Sequence, residues 1–82
     1  MPRNYTKVRI LEALDNDAWW TSGEIANSCW LSTTNSSELL RRYYRQGLVA
    51  RQRNQAVPKG YWYHLTQAGY DRMVYLKEMF ES

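Results

Sequence analysis

Cysteine occurs once in the 82 residues, at Cys29, and histidine once, at His64. A lone cysteine excludes an intrachain disulfide and points to a reducing compartment. A lone histidine without a cysteine at ligand spacing offers no metal site, and no cofactor is expected. No apolar run approaches the roughly 20 residues that would cross a bilayer. The opening MPRNYTKVRI has no apolar core of signal-peptide length. A cytoplasmic protein without a membrane partner is therefore expected. Also missing are a glycine-rich phosphate loop, a nucleophile–histidine–carboxylate set and any carboxylate pair beyond the Asp15/Asp17 turn. An enzyme is not expected, and no small-molecule effector site can be identified.

What the chain does have is aromatic rings and an uneven distribution of charge. Eighty-two residues suit one domain, 1–82, whose core is small and needs dense packing or a partner chain. Four Trp and seven Tyr supply the first. The net charge is +3, with a pI near 9.2. From Thr33 to Gly60 six basic residues face one acid, Glu38, for a net +5. The remainder has five basic and seven acidic residues, a net −2. A near-neutral body with one cationic segment is the footprint of a phosphate-backbone binder.

Periodicity divides the chain into short elements. Val8, Leu11 and Leu14, with Ile10 alongside, predict a helix over 6–15, broken by Asp15-Asn16-Asp17. Trp19 to Thr21 reads as a short extended piece. Thr21 with Glu24 forms a possible capping box for a helix over 22–29. Ser32, Thr33 or Thr34 caps a third helix over 33–46, which Gly47 stops in the left-handed conformation. Residues 48–65 read as a hairpin with a polar tip containing Pro58, and Thr66 caps a last helix over 67–80. The order is α-β-α-α-β-β-α, an α+β class.

These pieces resemble the winged helix-turn-helix DNA-binding domain, as in small regulators of the MarR and ArsR families from bacteria, archaea and phage. Glu24-Ile25-Ala26 matches the helix before the turn, and Leu31-Ser32 the opening of the recognition helix. Leu40-x-x-Tyr43-x-x-x-Gly47-Leu48-Val49-x-Arg51 matches that helix running into the wing, and Tyr61-x-Tyr63-x-Leu65-Thr66-x-x-Gly69 the wing's return. The resemblance covers about residues 6 to 80. It implies a transcriptional regulator that reads duplex DNA as a homodimer. Two positions depart from the pattern. Trp30 stands where a small turn residue is usual, and Ser36 where a branched apolar residue is usual; Trp30 is expected to fill the space that Ser36 leaves.

Projected at about 100° per residue, the third helix turns Leu40 and Tyr43 to one side. Thr34, Glu38, Arg41 and Arg45 fall opposite, flanked by Ser37 and Arg42. Hydroxyls and Asn35 near the N-terminal end suit base edges, and guanidiniums suit guanine or phosphate. A solvated helix face with Glu38 paired to Arg41 or Arg42 is the plainer alternative. On the hairpin, Arg51 and Arg53 alternate onto one face with Val49, and Lys59 joins them as a backbone contact. Tyr61, Tyr63 and Leu65 are expected to pack inward, with Trp62 and His64 part-exposed and Cys29 buried and inert. The last helix carries surplus apolar surface: Tyr70, Met73, Val74 and Phe80 form one stripe, and Tyr75, Leu76 and Met79 extend it. With Val8, Ile10 and Leu11 of the first helix, Tyr75, Leu76, Met79 and Phe80 are the candidate dimer surface. The rival reading is a winged-helix protein–protein interaction module without specific DNA binding.

Overall fold

The computed structural model describes residues 5–56 and 60–81, excepting the side chains of the last two of these. Four helices and one three-stranded sheet follow in the expected order: α1 Tyr5–Ala13, β1 Trp20–Thr21, α2 Ser22–Cys29, α3 Thr33–Arg45, β2 Val49–Asn54, β3 Gly60–Leu65 and α4 Gln67–Glu81. α1 ends two residues earlier than its apolar spacing predicts. Leu14 is fully buried but lies beyond the last helical residue. Asp17 then takes φ 61°, a left-handed turn that a short polar side chain tolerates.

Side-chain caps fix the helix ends. Glu24 N–H donates to Thr21 Oγ1 at 3.1 Å and Thr21 N–H to Glu24 Oε1 at 2.9 Å, completing the capping box that opens α2. Of the three hydroxyls that could cap α3, Ser32 does so, accepting from Asn35 N–H at 3.1 Å. Gly47 turns the chain left-handed at φ 77°, and Leu48 N–H reaches back to Tyr43 C=O at 2.9 Å. Thr66 Oγ1 accepts from Gly69 N–H and donates to Gly47 C=O at 2.7 Å, tying the start of α4 to the end of α3. At Gly69 a Cβ would collide with the Leu48 carbonyl, so only glycine lets α4 lie this close over the turn.

The sheet is antiparallel in the order β1-β3-β2. Val49 opposes Leu65, Arg51 opposes Tyr63 and Arg53 opposes Tyr61, while Trp20 opposes Tyr63 from the other edge. These residues share one face, which the helices cover as far as Tyr63 and leave open at Arg53. Ile10, Leu11, Leu14, Ile25, Cys29, Leu40, Tyr43, Leu48, Val49, Tyr63 and Met73 make the core, with Trp20, Leu31, Tyr61 and Leu65 part-buried against it. The inward set of the return strand is as expected, Tyr63 most deeply.

Three readings change. Val8, Ile10 and Leu11 are buried inside the chain and are not part of an exposed partner surface. Leu76, at 3 % exposure, likewise belongs to the core side of α4 with Met73, whereas Tyr70 is exposed. The cause is Gly69: its apposition to Leu48 sets the rotation of α4, so positions 69, 73 and 76 face inward. Tyr75 and Met79 remain exposed, and the Phe80 side chain lies outside the described residues. Finally, Trp30 does not fill the space at Ser36. It sits in the left-handed C-cap of α2 at φ 60° with 88 % of its surface in solvent. Ser36 needs no filler, because its buried hydroxyl donates to Ser22 C=O at 2.9 Å.

Candidate nucleic-acid interface

The outward face of α3 is the surface that the helical projection describes. Leu40, Tyr43 and Ser36 turn inward, while Thr34, Asn35, Glu38, Arg41, Arg42 and Arg45 are exposed. Ser37 is only half free, since its hydroxyl donates to Ser22 Oγ at 2.9 Å. The two serine contacts pin α3 against the first turn of α2 and hold the helix-turn-helix angle with hydrogen bonds in place of an apolar anchor. Among the described residues no ion pair engages Glu38, Arg41, Arg42 or Arg45. The cations of α3 therefore stand unneutralised at its surface.

The hairpin divides its basic residues by depth. Arg53 is exposed near the tip. Arg51, two pairs further in, is half-buried, with its guanidinium carbon 4.0 Å from the Tyr44 ring centroid and 4.2 Å from that of Tyr61. Asn54 is buried, and its Oδ1 accepts from Ala56 N–H at 3.1 Å, a turn-forming contact that occupies the side chain. Lys59, predicted as a wing contact, lies outside the described residues. Between α3 and the hairpin runs a cleft of about 200 Å³ lined by Ser22, Ser37, Glu38, Arg41, Arg51 and Tyr61, among others. Burial pushes the Tyr63 hydroxyl pKa up, with the Arg51 guanidinium beside it acting in the opposite direction.

Two neighbours of this face escaped the reading of the sequence. Ser22, which opens α2, accepts from buried Ser36 at its carbonyl and from Ser37 at its hydroxyl. Lys7 of α1 donates to Gln46 Oε1 at 2.8 Å and lies over the Tyr43 ring, which brings it beside α3. Its pKa is lowered, first by burial and then by Arg72 and Arg42, so positive charge gathers where α1, α3 and α4 meet. Tyr43 itself is pushed up to about 12, chiefly by burial, and stays a neutral core residue. Burial likewise raises the Cys29 thiol, which points at Arg9 C=O and is not a reactive thiolate. Among the described residues no three His, Cys, Asp or Glu side chains gather in a way that would hold a metal ion.

A helix-turn-helix with a cationic helix, a two-stranded hairpin beside it and a capping helix behind is the arrangement found in several solved regulators. A MarR family protein from Bacillus stearothermophilus superposes with a TM-score of 0.75 at 26 % identity, covering 96 % of this chain and 54 % of that one. The chain has the MarR-type winged-helix fold. The transcriptional regulator BldR from Sulfolobus solfataricus shares this winged helix with a TM-score of 0.79 at 18 % identity, over 94 % of this chain and 55 % of its own. MepR from S. aureus, solved as a DNA complex, matches at 0.75 and 20 % identity, over 94 % of this chain and 64 % of its own. The chain thus spans between 54 % and 64 % of the length of these three solved chains. No protein-family model matches the sequence, and no curated protein does. No helix among the described residues is long and apolar enough to cross a membrane.

Proposed function

We propose that this chain is a DNA-binding transcriptional regulator that lays α3 in the major groove of duplex DNA. The observation that carries the reading is the row of unpaired cations on the outer face of α3, set beside an exposed wing arginine on a winged-helix scaffold. Thr34, Asn35 and Glu38 lie nearest the N-terminal end of the helix, where such helices meet base edges. Arg41, Arg42 and Arg45 follow along the same face and suit guanine edges and phosphates. Arg53, with Lys59, serves the flanking backbone. Ser37 has a supporting role, because Ser22 already holds its hydroxyl.

Titration of a duplex from the gene's own promoter region and of a random duplex, each over a range of salt, tests this. Neutralisation of about four to six phosphates per protomer gives a slope of log K against log salt of about −4 to −5. Association that ignores salt, or none at low salt, overturns DNA binding and favours a winged helix that docks on protein.

A further inference from the structure

We propose that Arg51 is a positioning residue: its guanidinium, stacked between Tyr44 of α3 and Tyr61 of β3, fixes the angle between the proposed reading helix and the wing. The proposal rests on the DNA-binding reading for its consequence, though not for its geometry. Arg51 lies on the helix-facing side of the sheet, two pairs outward from Val49 and Leu65 and two pairs inward from Arg53 and Tyr61. Its guanidinium carbon stands 4.0 Å from one ring centroid and 4.2 Å from the other. At those distances a planar cation lies against both faces, held by ring quadrupoles on either side. One ring belongs to the last turns of α3 and the other to the return strand, so the stack spans the join between the two elements.

The surroundings leave this work to the stack. Among the described residues no ion pair or side-chain hydrogen bond joins α3 to the hairpin. On this face Tyr63, paired with Trp20 of β1, is the last buried ring; Tyr61 beyond it is only part-buried, and the cleft with Arg41 and Glu38 opens on the same side. Pairing of β1 with β3 reaches no further out than Trp62, so beyond it the hairpin has no sheet partner and is free to swing. The stack adds a fixed point there, through Tyr61 and next to exposed Arg53. A wing arginine and a helix arginine reach the two parts of one DNA site together only when the spacing between them is set beforehand.

The stack predicts that charge alone at position 51 is insufficient, because a lysine has no plane to lie between two rings. Arg51→Lys, which gives up both ring contacts, should lower affinity for a specific duplex roughly tenfold, and Tyr44→Leu, which gives up one, roughly threefold. Tyr44→Phe, which keeps the ring, should behave as the native chain. In both weakened backgrounds Arg53→Ala should change affinity by less than about twofold, since a misdirected wing has little left to lose. Amide exchange without DNA supplies the second reading. Protection at Arg53 and Tyr61 should fall in Arg51→Lys and Tyr44→Leu while that at Val49 and Leu65 holds. Unchanged exchange at Arg53 and Tyr61 in both variants overturns the proposal, as does Arg53→Ala keeping its full effect there. If the native chain binds no DNA, the functional reading fails and amide exchange alone decides whether the stack holds the wing.

Discussion

Trp30 combines two costs that rarely meet in one residue: a left-handed backbone and a large ring left in water. The left-handed conformation costs an L side chain about 1–2 kcal/mol, while a glycine loses about 0.5–1 kcal/mol of chain entropy on being fixed. With 88 % of Trp30 exposed, little packing offsets the difference. Trp30→Gly should therefore stabilise the fold by about 0.5–1 kcal/mol, read as a higher urea midpoint at unchanged m-value. A lower midpoint would mean that the ring packs on its surroundings. At this scale the sequence announces which positions are unusual without saying how each resolves. Trp30 and Ser36 both stand out as departures from the winged-helix pattern, and pairing them is the natural guess. The answer at Ser36 lies with Ser22, fourteen residues earlier, whose carbonyl the buried hydroxyl meets. Arg51 is similar. Strand alternation groups it with Arg53, and only its contacts with the Tyr44 and Tyr61 rings show that it serves the interior of the site.

Element boundaries were the most legible part of the fold because they are set by local chemistry. Thr21 and Glu24 make the capping box, and Gly47 makes the left-handed stop. The rotation of α4 was not legible, because its apolar residues surround much of the helix and periodicity alone selects no face. Contact between Gly69 and the Leu48 carbonyl selects it. The outer face of α3, by contrast, could be read in advance, since Leu40 and Tyr43 leave one orientation for the arginines. That division into helix and wing has a measurable consequence under the proposed function. Arg41→Ala should cost roughly 1–3 kcal/mol on a specific site and relax preference at one or two base pairs. Arg53→Ala should weaken specific and random duplexes about equally and make the salt slope shallower by about one. Competition titrations against single-base variants of the site separate the two. A wing variant that changes sequence preference, with Arg41→Ala weakening all DNA uniformly, would remove α3 as the reader.

For the whole molecule, the balance of buried and exposed apolar surface argues for a partner. A domain of 82 residues has a limited core, and α4 still leaves Tyr70, Tyr75 and Met79 at the surface. Val8, Ile10, Leu11 and Leu76 are spoken for within the chain, which narrows the candidate dimer surface to the outer side of α4. We propose that two copies meet there. Sedimentation at micromolar concentration should give twice the chain mass of 9.8 kDa. Tyr75→Glu and Met79→Lys should yield monomers with native helix content, because those side chains are 56 % and 52 % exposed and leave the core untouched. Leu76→Glu should behave differently. At 3 % exposure it would place an unpaired carboxylate among core residues and unfold the domain, with or without a partner. A dimer that survives both surface variants would move the interface to another face. A native chain that sediments at 9.8 kDa would abolish the dimer and leave α3 and the wing to bind as a single unit.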